Sequence, residues 1–214
     1  MTKRQLKNKP HPRTGADGFH YAVLEDDPAG GLPLYAASVE VPGFASGGYN
    51  QNANTNSYYA DNGVYETATQ TGDLTATVQI ADLTPEISHD LFGHEYKDGL
   101  LLEGLVNAKD IAIGWRVKKA NGKYRYFWHT KGKAAPPAET TNTQGNNVSF
   151  QDVTVTVACS MLASLGIARR VLDDDDANLP EGTTPEIIAE NWFKDPLWKP
   201  VEIIHAPPVE PPGY

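Results

Sequence analysis

Ile111 to Lys133, IAIGWRVKKANGKYRYFWHTKGK, decides the fold. Ile111, Ile113, Trp115 and Val117 alternate with smaller or charged residues, and Tyr124 to Thr130 is an aromatic-rich run. Asn121-Gly122 stands between the two, with the tolerance of positive φ that a tight turn needs, so the segment reads as a β-hairpin. It also gathers positive charge. Residues 109–133 carry eight Lys/Arg against Asp110, in a chain of 214 residues with a net charge of −9.

The charge is segregated along the whole chain. Residues 1–13 hold five Lys/Arg and no acid, residues 14–96 hold twelve acids and no Lys or Arg, and acids including Asp173 to Asp176 dominate the last third. Opposite patches of this kind register subunits against one another more than they add affinity, so Lys118, Lys119, Lys123 and Arg125 are a candidate electrostatic interface with a neighbour's acids. A nucleic-acid binder would carry a net basic balance. The bases and aromatics of the hairpin could stack on single strands. Alternation of Tyr124, Tyr126 and Trp128, however, fits one packed face of a sheet better.

Nineteen Gly and sixteen Pro argue against a helical bundle, and the length suits a single β domain with extensions. The expected layout is a basic arm over residues 1–18, one β domain over 19–205 with a long polar loop at about 43–62, and a Pro-rich tail over 206–214. Pro33 to Val41 reads as a strand ending at Pro42-Gly43. The tract GFASGGYNQNANTNSYYADNG that follows is poor in aliphatics, as a projecting loop or long hairpin is. Gly72 to Asp82 alternates Leu74, Ala76, Val78 and Ile80 against Thr75, Thr77 and Gln79, a half-buried strand. Thr84-Pro85-Glu86 and Thr184-Pro185-Glu186 each start a short helix, the first ended by Gly93, and Ile188 and Trp192 share one face of the second. Leu100 to Val106, Val148 to Ala158 and Leu165 to Leu172 add further strands.

No catalytic, metal or cofactor constellation is expected. His89 and His94 point about 140° apart on a helix and read as surface residues at a helix end. Asp173 to Asp176 reads as a solvated acidic turn, because a calcium loop starting at Asp173 would meet Ala177 at its fifth place and no Gly at its sixth. Cys159 is the single cysteine and reads as a small packed residue, and Ser160 lacks a nucleophile-elbow setting. Nor is there a signal-like or membrane-length apolar run, so no membrane partner is expected and folding is expected in a reducing cytoplasm.

Tyr59-Ala60-Asp61-Asn62-Gly63-Val64-Tyr65-Glu66, the Gly72 to Asp82 strand followed by a short helix and Leu91-Phe92-Gly93-His94, and Gly114 to Lys133 followed by Phe150-Gln151 carry a resemblance. In that order and spacing the chain resembles the major tail proteins of long, non-contractile-tailed bacteriophages, which build the tail tube. The resemblance implies a mainly β sandwich or partly closed barrel with one or two short flanking helices. It further implies hexameric rings that stack into a tube conducting DNA without binding it specifically, with tape-measure, tail-terminator and tail-tip proteins as partners. The location would be the virion tail, assembled in the host cytoplasm. Gly47, Tyr49, Asn50, Asn52, Asn54, Tyr58 and Tyr59 would lie in an inter-subunit or inter-ring loop. Two alternatives stand beside it: a carbohydrate- or protein-binding β-sandwich module, and a secretion-system-like tube protein.

Overall fold

The computed structural model describes residues 6–139, 143 and 151–200. In chain order its elements are β1 (Arg13–Asp26), β2 (Leu34–Tyr35), β3 (Val39–Val41), β4 (Phe44–Ala60), β5 (Gly63–Ile80), α1 (Pro85–Phe92), β6 (Glu95–Lys97), β7 (Leu100–Leu102), β8 (Ile111–Lys119), β9 (Tyr124–Ala135), β10 (Val153–Cys159), β11 (Arg169–Asp173) and α2 (Pro185–Asn191). Nine strands form one antiparallel sheet in the order β2-β1-β8-β9-β10-β5-β4, with β3 on β1 and β11 on β9, while β6 and β7 pair separately. The chain is thus mainly β, as its alternation predicts.

The sheet curls because β3 pairs with β1 and the same chain, bent at Pro42-Gly43, continues as β4 on β5. Gly43 sits at φ 81°, where a side chain would strain the backbone. Phe19 of β1 stacks on Phe44 of β4 across the enclosed space, with ring centroids 5.7 Å apart. The ladder itself does not close into a barrel among the described residues.

Two cores lie on the two faces. Inside the curl are Phe19, Tyr21, Val78, Ile80, Ile113, Trp115, Phe127, Val155 and Val157, capped by Leu91 and Phe92 of α1. Outside, Ala112, Tyr126 and Trp128 pack beneath Ile188 and Trp192 at α2. Successive residues of β8 and β9 serve opposite faces, so Tyr126 and Trp128 face α2 while Phe127 faces inward, and both strands are buried on both sides. Both helices start as expected, with Thr84 and Thr184 accepting from the amides of Ile87 and Ile187, and Gly93 ends α1 in the left-handed conformation. Each leans on the sheet through a hydrogen bond. The Tyr21 hydroxyl donates to Asp90 at 2.7 Å, and the Trp128 indole donates to the Trp192 carbonyl at 2.9 Å.

Several boundaries differ from the sequence reading: the Leu100 to Val106 strand stops at Leu102, and the Leu165 to Leu172 strand starts at Arg169. Strand β1 begins at Arg13, inside the segment assigned to a basic arm, because Pro12, Arg13 and the residues up to Ala16 pair along the hairpin end of β8, with a bulge between Arg13 and Gly15. The Pro33 to Val41 strand is broken into β2 and β3, which pair with different parts of β1. Of the two readings of the polar tract, loop or long hairpin, the structure has the hairpin, and Gly63 to Thr71 are its second strand, continuous with the rest of β5. The tail over 206–214 and Phe150 lie outside the described residues.

Register fixes which features share an end. Leu74, Cys159 and Gly132 lie side by side across β5, β10 and β9, and β5 and β9 run in the same direction through that row. The β4–β5 turn, the β8–β9 turn and the start of β1 therefore extend to one end of the sheet. The opposite end holds the end of β1, the start of β10, α1 and the 95–110 segment. After Cys159 the chain leaves β9 and returns to it as β11. This detour is pinned by Asp27, whose carboxylate accepts from Lys131 at 2.8 Å and from the amides of Ala163 and Ser164. Burial opposes that charge, but these donors outweigh it and hold the carboxyl well below the usual range.

Candidate assembly surface

Strands β4 and β5 pair along their whole length, from Phe44 opposite Ile80 to Ala60 opposite Gly63. Only the proximal part belongs to the body. There β5 is sandwiched between β4 and β10, whereas beyond Leu74 its one partner among the described residues is β4. At about 3.3 Å per residue, Gln51 to Ala60 carries the arm roughly 30 Å past that point. The turn is Asp61-Asn62, both left-handed at φ 49° and 64°, followed by Gly63, the two-residue geometry whose twist matches a hairpin. This Asp-Asn-Gly signal marks the hairpin in the sequence.

The seven residues expected at an inter-subunit loop therefore divide. Gly47 lies against Trp115, where an added Cβ would come within 2.8 Å of the indole. Tyr49 is half-buried, its ring 4.5 Å from that of His129 and beneath the Arg169 guanidinium. These two anchor the arm. Asn50, Asn52, Asn54, Tyr58 and Tyr59 are exposed. The shaft is held by polar pairs such as Thr55 with Thr69 at 3.1 Å, and the tip carries Tyr58, Tyr59, Val64 and Tyr65, all more than half exposed. A two-stranded hairpin with no buried face is marginal in water. Among the described residues, Tyr58, Tyr59 and Tyr65 stay more than half exposed.

At the β8–β9 turn the bases also divide. Lys119 is buried, with its ammonium on Asp175 and 3.5 Å from Asp173, and Arg125 binds Asp173 through two nitrogens at 2.6 Å each. Asp174 is buried and accepts from the Tyr124 amide at 2.9 Å. Asp173 to Asp175 is therefore a buttress for the hairpin rather than a solvated turn, and Lys119 and Arg125 are neutralised within the chain. Burial works against the Asp175 charge, yet Lys119 and Asn121 hold its carboxyl below the usual range. Arg116 pairs with Asp17 and lies over the Tyr124 ring. Lys118 and Lys123 remain exposed. The signal for this lock was present as four consecutive acids, but only tertiary folding brings them to the turn.

The opposite end is apolar and acidic. Tyr96, Leu100, Leu102, Leu105 and Val106 are exposed there, Leu105 almost completely at 96%. Beside them His89 Nδ1 meets the His94 carbonyl oxygen, and His94 is buried near Phe92 instead of at the surface. Among the described residues no three His, Cys, Asp or Glu side chains come together as metal ligands. Burial pushes the Cys159 thiol up to about 11, so it is protonated at neutral pH. Under the arm's root His129 is buried between Tyr49 and Trp115, and burial together with Arg169 lowers its pKa to about 3.

This is a mainly β protein with a projecting two-stranded arm and two unlike ends. No family model and no curated protein matches the sequence. Among solved structures, the cryo-EM structure of the anti-feeding prophage cap, a tube-terminating cap, aligns with 80% of this chain and 96% of its own at 14% identity, with a TM-score of 0.38.

Proposed function

We propose that the chain is a structural subunit of a phage-type tail, the repeating unit of the tail tube. Copies assemble into hexameric rings, the rings stack, and DNA is delivered through the lumen; the role is architectural rather than catalytic. The observation that carries this reading is the arm over residues 51–73. Among the described residues it has no core of its own, exposes three tyrosines and a valine at its tip, and is held by the β4–β5 ladder, cross-strand polar pairs and one Tyr58–Tyr65 edge contact. A segment of this kind gains stability by packing on another copy. The sequence resemblance at Tyr59 to Glu66 falls on the same tip. A net charge of −9 suits a conduit, since a basic lumen would bind phosphates through counterion release.

Electron microscopy of concentrated protein tests this. Rings or tubes are expected from the intact chain. Replacing residues 54–70 by an Asn-Gly turn keeps the register of Ala53 with Thr71 and should leave a folded subunit that forms no tubes. An intact chain that stays monomeric at high concentration refutes the proposal, as does a stable monomer that binds glycans on an array. Tubes that co-purify with secretion-system rather than virion components would favour the secretion-type alternative.

A further inference from the structure

We infer that the tyrosine tip of one copy's arm seats on the leucine patch at residues 100–106 of the next copy, which makes stacking head-to-tail. This rests on the tube-subunit reading and adds the receiving surface.

Among the large apolar side chains exposed on the described residues, two groups are placed by the register at opposite ends of the sheet. The tip has Tyr58, Tyr59, Val64 and Tyr65, and the patch has Leu100, Leu102, Leu105 and Val106. A two-fold contact would bury each cluster against itself, or set tip on patch twice in a closed pair that cannot lengthen. Translation along the strand direction instead brings one onto the other, a heterologous contact that repeats without closing.

The charges of the two ends disfavour patch-to-patch pairing, and growth of a tube requires translation rather than a closed reciprocal pair. Beside the arm, the exposed bases Lys118, Lys123, Lys9 and Arg13 occupy the end to which the tip points. The patch end exposes Glu25, Asp26, Asp82, Glu86, Asp98 and Glu103. Patch-to-patch pairing would set acid against acid, which disfavours that register, whereas stacking brings the exposed Lys118 and Lys123 of one copy toward the acidic end of the next. Acidic residues of the tip, Asp61 and Glu66, have counterparts in the exposed Lys97 and Lys109 at either side of the patch sequence. Elongation should accordingly weaken with salt.

Mixing of two variants tests the polarity. Tyr58→Ser with Tyr59→Ser removes the tip, and Leu102→Ser with Leu105→Ser removes the patch; all four side chains are exposed, so both proteins should fold with unchanged thermal melts. Alone, each should show at least a tenfold higher critical concentration for tube growth by light scattering. Mixed in equal amounts, they should form a two-layer particle and no longer tube, because one intact tip meets one intact patch. A mixture of Tyr59→Cys and Leu105→Cys proteins should give an oxidised cross-linked dimer that neither gives alone. Tubes of normal length from the patch variant, or equal cross-linking without mixing, would overturn the inference while leaving the tube reading intact. An intact chain that forms neither rings nor tubes would remove both.

Discussion

Acidifying the protein from pH 7 to pH 5 should cost about 2 kcal/mol of stability through His129 alone, and His129→Leu should abolish that cost. The ring is 1% exposed, and neither nitrogen has a hydrogen-bond partner among the described residues. Burial and the nearby Arg169 guanidinium both disfavour the imidazolium, so the folded pKa is lowered from 6.5 to about 3. The sign follows. Between these values the unfolded chain binds a proton that the folded chain refuses, so stability falls as pH drops below the unfolded pKa. At pH 5 the unfolded state gains RT ln(1 + 10^1.5), about 2 kcal/mol, against roughly 0.2 kcal/mol at pH 7. Urea unfolding of both proteins at the two pH values isolates the term, because His20 and the carboxylates contribute equally to each. Leucine orphans no partner and keeps the volume, so its cost at pH 7 should stay below about 1.5 kcal/mol. Parallel pH profiles for the two proteins would refute the assignment. Because Tyr49 packs on the same ring, the loss in acid should be accompanied by loosening of the arm's root, visible as faster amide exchange in Tyr49 to Gln51.

The three lysines at the β8–β9 turn should answer differently to one change. Lys119→Glu puts a carboxylate among Asp173, Asp174 and Asp175 and should cost about 3–5 kcal/mol in chemical denaturation, whereas Lys118→Glu and Lys123→Glu should fall within about 0.5 kcal/mol. Equal effects at the three positions would mean that Lys119 is not buried in its ion pair. Trp192→Ala removes the ring that packs on Tyr126 and Trp198 and should cost about 3–5 kcal/mol, with loss of near-ultraviolet circular dichroism but little change in the strand signal. An unchanged near-ultraviolet spectrum would show that α2 does not dock through this residue.

Local periodicity wrote much of the fold into the chain. The β8–β9 hairpin, the proximal half of β5, β10, and both helices with their threonine caps follow from alternation, turn residues and capping, each of which acts between near neighbours. The arm was half legible: composition marked a projecting loop or long hairpin without deciding between the two. That it is a paired strand rather than a loop was obscured because neither face is apolar, so no alternation of core residues reports it. The mainly β class was readable for the same local reasons.

What the tertiary structure decided is where distant segments meet. The acids Asp173 to Asp175 and the bases Lys119 and Arg125 are about 50 residues apart, and nothing in either stretch says that they neutralise each other inside one chain instead of between two. His94 looks like a helix-end surface residue until the 95–110 segment folds over it. Tyr49 and Gly47 look like loop residues until β8 and β9 supply Trp115 and His129 beneath them. Sequence alone settled the β8–β9 hairpin and the two helices, since tight turns and caps act between near neighbours. The end to which each charged or apolar cluster is carried depends on strand order and register, which only the assembled sheet sets.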